Sequence, residues 1–250
     1  MSQTVTRTRW LVTKLGVVGV TAAAVAGLLS LAVTWWADPI DTAASAGGGG
    51  PFPARVSPLV FGARGIVPAG YAAFAFVLGV ALGIVLRRTV TTMALTSAVF
   101  IAVQIAVPFT VRPHVLPPVQ QTVTIDRTNI KSFRTDSSGQ PRRLTVSSPP
   151  GAWVTANQTV DANGRAVATL PSWLTDCMPP PPGRRTHPRP DGPAARACFA
   201  KLNDLGYEQS LTYQPADRFW ALQWAETMTF LVLSALLTGF CLWWTRHRLS

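Results

Sequence analysis

The sequence predicts an all-α integral membrane bundle of four transmembrane helices, with a small extracytoplasmic α+β insert between spans three and four. Three observations predict it. Hydrophobic residues make up 48% of the chain and charged residues 13%, where a soluble domain carries about 25% charged residues. Such a chain has too few charges to coat a soluble surface and too much apolar residue for disorder, which argues against a soluble enzyme. Second, residues 15–36, 66–86, 89–111 and 227–245 contain no Asp, Glu, Lys, Arg or His. Third, residues 112–219 are polar and far longer than a tight connection.

Each uncharged run matches the roughly 20 residues needed to cross about 30 Å of hydrocarbon. Because lipid offers no partner for a bare amide, each must be a complete helix. Gln104 is the most polar side chain within them, and Pro68 and Pro108 fall in a first and a last turn, where proline costs least. The chain therefore divides into a membrane region over 1–111 with three spans, an extracytoplasmic domain over 112–219, and a last span with a cytoplasmic tail over 220–250.

Charge sets the orientation. With an even number of spans, Arg7, Arg9, Lys14, Arg87, Arg88, Arg246 and Arg248 share one side, and no acid joins them. The short opposite loop balances Arg55 and Arg64 with Asp38 and Asp41. The positive-inside rule then puts both termini in the cytoplasm of a multi-pass protein of the cell membrane, so much of the +11 net charge is a topology signal. Seven of the nine tryptophans (Trp10, Trp35, Trp36, Trp220, Trp224, Trp243, Trp244) fall at or beside span ends, as interfacial anchoring requires. A cleavable signal peptide over residues 1–46, with Ala44-Ser45-Ala46 as its cleavage site, is the competing reading of the first span. Its apolar run exceeds the roughly 7–15 residues of such peptides.

Within span two, Ala75, Gly79 and Gly83 form a stripe of small residues at four-residue spacing that lets another helix approach closely. The same pattern serves packing inside one bundle or a subunit interface. Ion pathways and proton relays need ionisable residues at membrane depth, and the four spans hold none. Glu226, at the start of span four, reads as an acid favoured by the helix dipole and reaching the headgroups, with a substrate role as the alternative.

In the outer segment, residues 152–160 and 165–170 flank Asp161-Ala162-Asn163-Gly164, a hairpin signal. Residues 193–205 read as a helix, with Pro193 in its first turn, Gly206 as its stop, and Ala195, Cys198, Phe199, Leu202 and Leu205 as its buried stripe. Residues 179–190 are rich in Pro and Arg and read as extended, and Gly47 to Gly50 as a flexible tether. Cys177 and Cys198 share this oxidising side and form the natural disulfide candidate, with two free thiols as the alternative; Cys241 lies within span four.

No catalytic, cofactor or metal site is predicted. CxxC and HExxH are absent and His114, His187 and His247 are scattered. GxSxG is missing too, and without GxxxxGK[ST] the chain cannot by itself be an ATPase. The outer segments carry 15 basic against 11 acidic side chains, too balanced for a nucleic-acid surface. Asn157-Gln158-Thr159 matches a glycosylation sequon, a pattern frequent by chance.

Several stretches resemble a known family. The opening Ser2-Gln3-Thr4-Val5-Thr6-Arg7-Thr8-Arg9-Trp10 with Lys14 is similar to the segment leading into the third span of ABC-2-type transporter permeases of high-GC Gram-positive bacteria. Gly206-Tyr207, then Tyr213-Gln214-Pro215-Ala216, Arg218-Phe219-Trp220, Gln223-Trp224 and Glu226, resemble that group's signature before its last span; Arg87-Arg88 and Arg112-Pro113-His114 also fit its pattern. The resemblance implies an exporter permease without catalytic residues, working in the bilayer with a separate ABC ATPase subunit and a second permease copy or homologue. Such permeases carry two earlier spans and a cytoplasmic loop that docks the ATPase, and this sequence aligns after them. The coupling candidates that remain are Arg7, Arg9, Lys14, Arg87 and Arg88. The alternative is a non-transporting membrane protein whose extracytoplasmic domain binds a ligand or partner.

Overall fold

A computed structural model describes residues 7–46, 53–110, 112–177 and 193–248, and its chain divides into two compact units. The predicted tether at Gly47 to Gly50 and the Pro/Arg-rich stretch over 179–190 lie outside the described residues. The first unit takes Met1–Ala43, Pro53–Pro117 and Asp217–Ser250; the second takes Ala44–Phe52 and Pro118–Ala216.

In the first unit α1 (Arg7–Ala46), α3 (Val67–Leu86), α4 (Thr89–Thr110) and α7 (Phe219–Arg248) carry four stretches long and apolar enough to cross a membrane: Val12–Ala43, Val67–Leu86, Thr89–Val115 and Ala216–Thr245. The short helices α2 (Pro58–Phe61) and α5 (Arg112–Val115) precede α3 and follow α4. Proline opens α2 and α3, where its missing N–H would have had no partner. At the other end of α3, Arg87 caps in the left-handed conformation (φ 52°), its N–H bonded to the Gly83 carbonyl. That reversal lets α4 begin two residues later, with Thr92 N–H and Oγ1 both bonded to the Arg88 carbonyl.

The two terminal helices run beyond their uncharged cores. With 40 residues, α1 extends about 60 Å at ~1.5 Å per residue, roughly twice the thickness of bilayer hydrocarbon. The helix α7 begins eight residues before the uncharged run does, so Glu226 stands two turns inside it rather than in its first turn. An added Cβ at Gly79 would lie 3.8 Å from Thr96 Cγ2, and one at Gly83 3.9 Å from Thr92 Cγ2, so these glycines face α4 of the same chain. Ala75, on the same helix, is half-buried.

The second unit holds an antiparallel sheet in the order β1-β5-β4, from β1 (Val119–Thr124), β4 (Trp153–Val160) and β5 (Glu208–Gln214). Beside it β2 (Ile130–Thr135) and β3 (Pro141–Val146) pair as a two-stranded hairpin. The helix α6 (Pro193–Asp204) closes the core with Phe199 and Leu202 against Ile125, Leu144, Val146, Leu174 and Leu211. Leu205, expected on that buried stripe, is 51% exposed because the helix stops one residue earlier and Gly206 takes a positive φ. Cys177 and Cys198 are bonded, with Cα atoms 5.9 Å apart.

The Asp161 to Gly164 turn forms, with Asp161 N–H bonded to the Arg165 carbonyl and Gly164 at φ 73°. Its return arm does not become a strand. Only a Val160–Ala166 bridge follows, after which Leu170 turns into the core, and β5 takes the ladder along β4. The arm keeps one further bond to β4, Val167 N–H to the Thr159 carbonyl (2.9 Å), before Leu170 N–H turns to the Pro141 carbonyl of β3 (3.0 Å).

Two amide side chains join the two sheets. Asn157 in β4 accepts from Val146 N–H (3.3 Å), donates to the Val146 carbonyl (2.9 Å) and accepts from Gln209 Nε2 (2.6 Å). Fully buried Gln209 also donates to the Leu144 carbonyl and accepts from Thr159 Oγ1. The amide of the sequon asparagine is thus committed to structure. Replacing Asn157 with Ala leaves the Val146 backbone groups and Gln209 short of partners, an expected loss of about 1–3 kcal/mol. Hydrogen exchange at the Val146 amide should accelerate; unchanged exchange there would refute the bridging role.

Candidate functional site

The polar features of the first unit converge where α7 packs on α3 and on the loop before it. That loop, residues 62–66, is irregular backbone among apolar helices, so every N–H and C=O in it needs a partner. Gln223, fully buried, supplies two of them and two more on the flanking helix ends: its Oε1 accepts from Ile66 N–H (2.9 Å) and Val67 N–H (3.0 Å), and its Nε2 donates to the carbonyls of Phe61 (3.2 Å) and Arg64 (3.0 Å). From α1, Thr34 Oγ1 accepts from Gly65 N–H (2.7 Å), Ser30 Oγ donates to the Ala63 carbonyl (3.2 Å), and Asp41 pairs with Arg64 (2.6 Å). Gly65 sits at φ 71°, and an added Cβ would stand 2.5 Å from Gln223 Oε1. Only glycine combines that backbone angle with that approach.

One turn along α7, Glu226 is 2% exposed and held from two sides. Tyr71 of α3 donates its hydroxyl to Oε1, and Arg112 of α5 donates Nε to Oε2 at 2.8 Å. Arg112 is itself 4% exposed, with its guanidinium carbon 3.9 Å above the Phe61 ring. Its Nη1 and Nη2 have no hydrogen-bond partner among the described residues. Phe61 packs edge-on to Phe219 (5.5 Å), whose ring lies 5.1 Å from the Arg55 guanidinium carbon. Deeper along the same interface Phe230 meets Tyr71 (4.7 Å) and Phe74 (5.4 Å) edge-on. A Cβ on Gly70 would touch Phe230 Cβ and Thr227 Cα at 3.4 Å, so α3 and α7 lie close together there.

Glu226 therefore does not reach outward to headgroups as its position in the sequence suggests. It is the counter-charge of a buried arginine, and the carboxylate that joins α3, α5 and α7. Phe219, Gln223 and Glu226 share the buried face of α7, whereas Trp220 (47% exposed) and Trp224 (55%) lie on the opposite one. Arg218 donates to the Pro117 carbonyl (2.6 Å). Tyr213 and Gln214 belong to β5 in the second unit, where the Tyr213 hydroxyl donates to Gln121, and Pro215 follows them. Among the coupling candidates, Arg87 and Arg88 are exposed at the α3–α4 turn and Lys14 is exposed on α1. The side chains of Arg7 and Arg9 lie outside the described residues.

Tyr71 escapes sequence reasoning entirely. Its only signal is a phenol within an otherwise apolar span, and nothing local says which acid it meets 155 residues away. No group of three or more His, Cys, Asp or Glu among the described residues could hold a metal ion.

Residues 1–112 match the ABC-2 membrane transporter related family. No curated protein and no solved structure matches the chain. The ABC-2 match spans α1 to α4 and ends on Arg112, the residue that reaches Glu226. Over that region the match accords with the resemblance carried by Arg87-Arg88 and the opening residues.

Two substitutions test the site. Glu226→Gln leaves the Arg112 charge buried without its counter-ion, a loss expected at about 3–5 kcal/mol, whereas the double change Arg112→Leu/Glu226→Leu should restore much of it. A Glu226→Gln protein with the parental melting temperature in detergent would show that the pair carries no such stability. Gly65→Ala should lower that temperature as well, since the new methyl meets the Gln223 amide.

Proposed function

We propose that this chain is the membrane-embedded subunit of an ATP-driven ABC-2-type exporter, a dimer of permeases served by a separate ATPase. The observation that carries the reading is the ABC-2 match over residues 1–112, set on helices of spanning length. The permease contributes no catalytic residue. ATP hydrolysis in the partner reaches it as rigid-body movement of helices about packed interfaces, which alternates access to a path between two permeases. The buried Arg112–Glu226–Tyr71 junction makes α3, α5 and α7 suited to move as one body. The exposed Arg87-Arg88 turn offers charge to an acidic cytoplasmic surface, with Lys14, Arg7 and Arg9 on the same side. In this reading both termini are cytoplasmic, the cell membrane is the site of action, and residues 112–219 form the extracytoplasmic domain.

Single cysteines at Ser137 and Ser250, labelled in intact cells with an impermeant thiol reagent, test the orientation. Labelling is expected at Ser137 only; labelling at Ser250 but not Ser137 would overturn it. Affinity capture of the correctly inserted chain from its native cells should retain an ABC ATPase subunit, and Arg87→Glu/Arg88→Glu should weaken retention. If no ATPase is captured and none is encoded nearby, the exporter reading fails.

A further inference from the structure

We infer that the β2–β3 hairpin of the second unit is a docking surface for the anionic headgroups of a lipid bilayer. Residues 118–216 carry eleven basic and seven acidic side chains, and four basic against one acidic of these fall on residues 130–146. Three of the four excess positive charges of that stretch therefore fall on one hairpin.

The register concentrates it further. Arg134 and Arg143 are direct cross-strand partners and both are exposed, on the face opposite the core pair Phe133 and Leu144. Like charges placed opposite one another destabilise a sheet. The only acid of the hairpin does not relieve them. Asp136 accepts from Ser138 N–H and Oγ and from Gln140 N–H, and its remaining oxygen pairs with Arg142 at 3.1 Å. Hydrogen bonds from Ser138 and Gln140 hold its carboxyl down at about 2. Neither Arg134 nor Arg143 has a hydrogen-bond or ion-pair partner among the described residues, and Lys131 projects from the β-bulge between Ile130 and Ser132. In the neighbouring row Ser132 Oγ and Thr145 Oγ1 lie 2.6 Å apart. Two guanidinium forks beside two hydroxyls on an exposed face are a set of donors for phosphate oxygens.

The lipid surface is the occupant that fits. Guanidinium forks pair with phosphate oxygens, and the exposed face of a two-stranded sheet suits an array of headgroups better than a deep pocket would. The unit is also chain-linked to apolar helices at both ends: β1 follows α5, and β5 ends at Gln214 just ahead of α7 at Phe219. That linkage keeps headgroup phosphates at high effective concentration, on whichever side of the membrane the unit lies. The inference therefore stands apart from the exporter reading.

The test uses the full chain in nanodiscs of zwitterionic lipid alone or with about 30% phosphatidylglycerol, and reads hydrogen exchange over residues 130–146. Phosphatidylglycerol should slow exchange there roughly fivefold or more, high salt should reverse the effect, and Arg134→Gln/Arg143→Gln should abolish it. Arg143→Glu separates binding from folding. It turns the repulsive pair into an attractive one, so in detergent the hairpin should exchange more slowly than the parent, yet lose its response to phosphatidylglycerol. Equal exchange in both nanodiscs, or a response that survives the double glutamine variant, would overturn the inference. So would slowing by free inorganic phosphate or soluble polyphosphate with none from phosphatidylglycerol, which would assign the face to a soluble anion.

Discussion

The first unit depends on one constraint: backbone that leaves a helix among apolar neighbours must have its amides and carbonyls satisfied by side chains. Residues 62–66 break the path between α2 and α3, and Gln223 of α7 repairs the break with both ends of one amide. An unmet buried backbone group costs about 1–3 kcal/mol, so a residue that satisfies four of them outweighs any single apolar contact nearby. The rest follows from where it must stand. Because Gln223 has to reach the start of α3, α7 lies along α3 from that point, and Glu226 arrives one turn later opposite Tyr71. Arg112 then finds its counter-charge without leaving α5.

The second unit solves a related problem by the same chemistry. Its β2–β3 hairpin lies outside the ladder of the three-stranded sheet, and the Asn157 amide takes both backbone groups of Val146 as a neighbouring strand would. Gln209 braces that amide from below and holds Leu144 as well. Buried amide side chains, neutral and able to donate and accept at once, act in both units as substitutes for missing secondary structure. A charged residue in either place would carry a desolvation cost that four hydrogen bonds do not remove.

This explains what was legible in the sequence. Apolar length marks a span regardless of its neighbours, and the four helices stand where the uncharged runs lie. Pro193 and Gly206 mark their helix through local backbone rules that tertiary structure leaves intact. Long-range partners carry no such mark. The pairing of β4 with β5 joins residues about fifty positions apart, and the return arm leaves β4 where Leu170 finds a backbone partner in Pro141 of β3. Glu226 looks like an ordinary interfacial acid until α7 is seen to begin at Phe219, and its partners stand 114 and 155 residues earlier in the chain. Even so, the residues that resembled a family signature before the last span include Phe219, Gln223 and Glu226, which lie on the buried face of α7.

Burial is unequal among the spans in a way that bears on movement. In α3 and α7, 28% of the most apolar window is buried within the chain, against 6% for α1 and α4. The first two also share the Tyr71–Glu226 hydrogen bond, the Phe230 cluster and the close approach at Gly70, all of which would have to break for them to separate. Losing the buried hydrogen bond to the Glu226 carboxylate alone costs about 1.5–3 kcal/mol, so a ligand or partner that acts on this chain shifts α3 and α7 together more readily than apart. The helix α4 is tied to α3 by a two-residue turn whose first residue, Arg87, already occupies a conformation that glycine would adopt more easily. Displacement of α4 therefore pulls directly on the end of α3, while most of its own apolar surface stays free to face lipid or the helices of a second subunit. In the proposed exporter reading, which puts this turn in the cytoplasm, a push on it would reach the paired α3 and α7 through the end of α3.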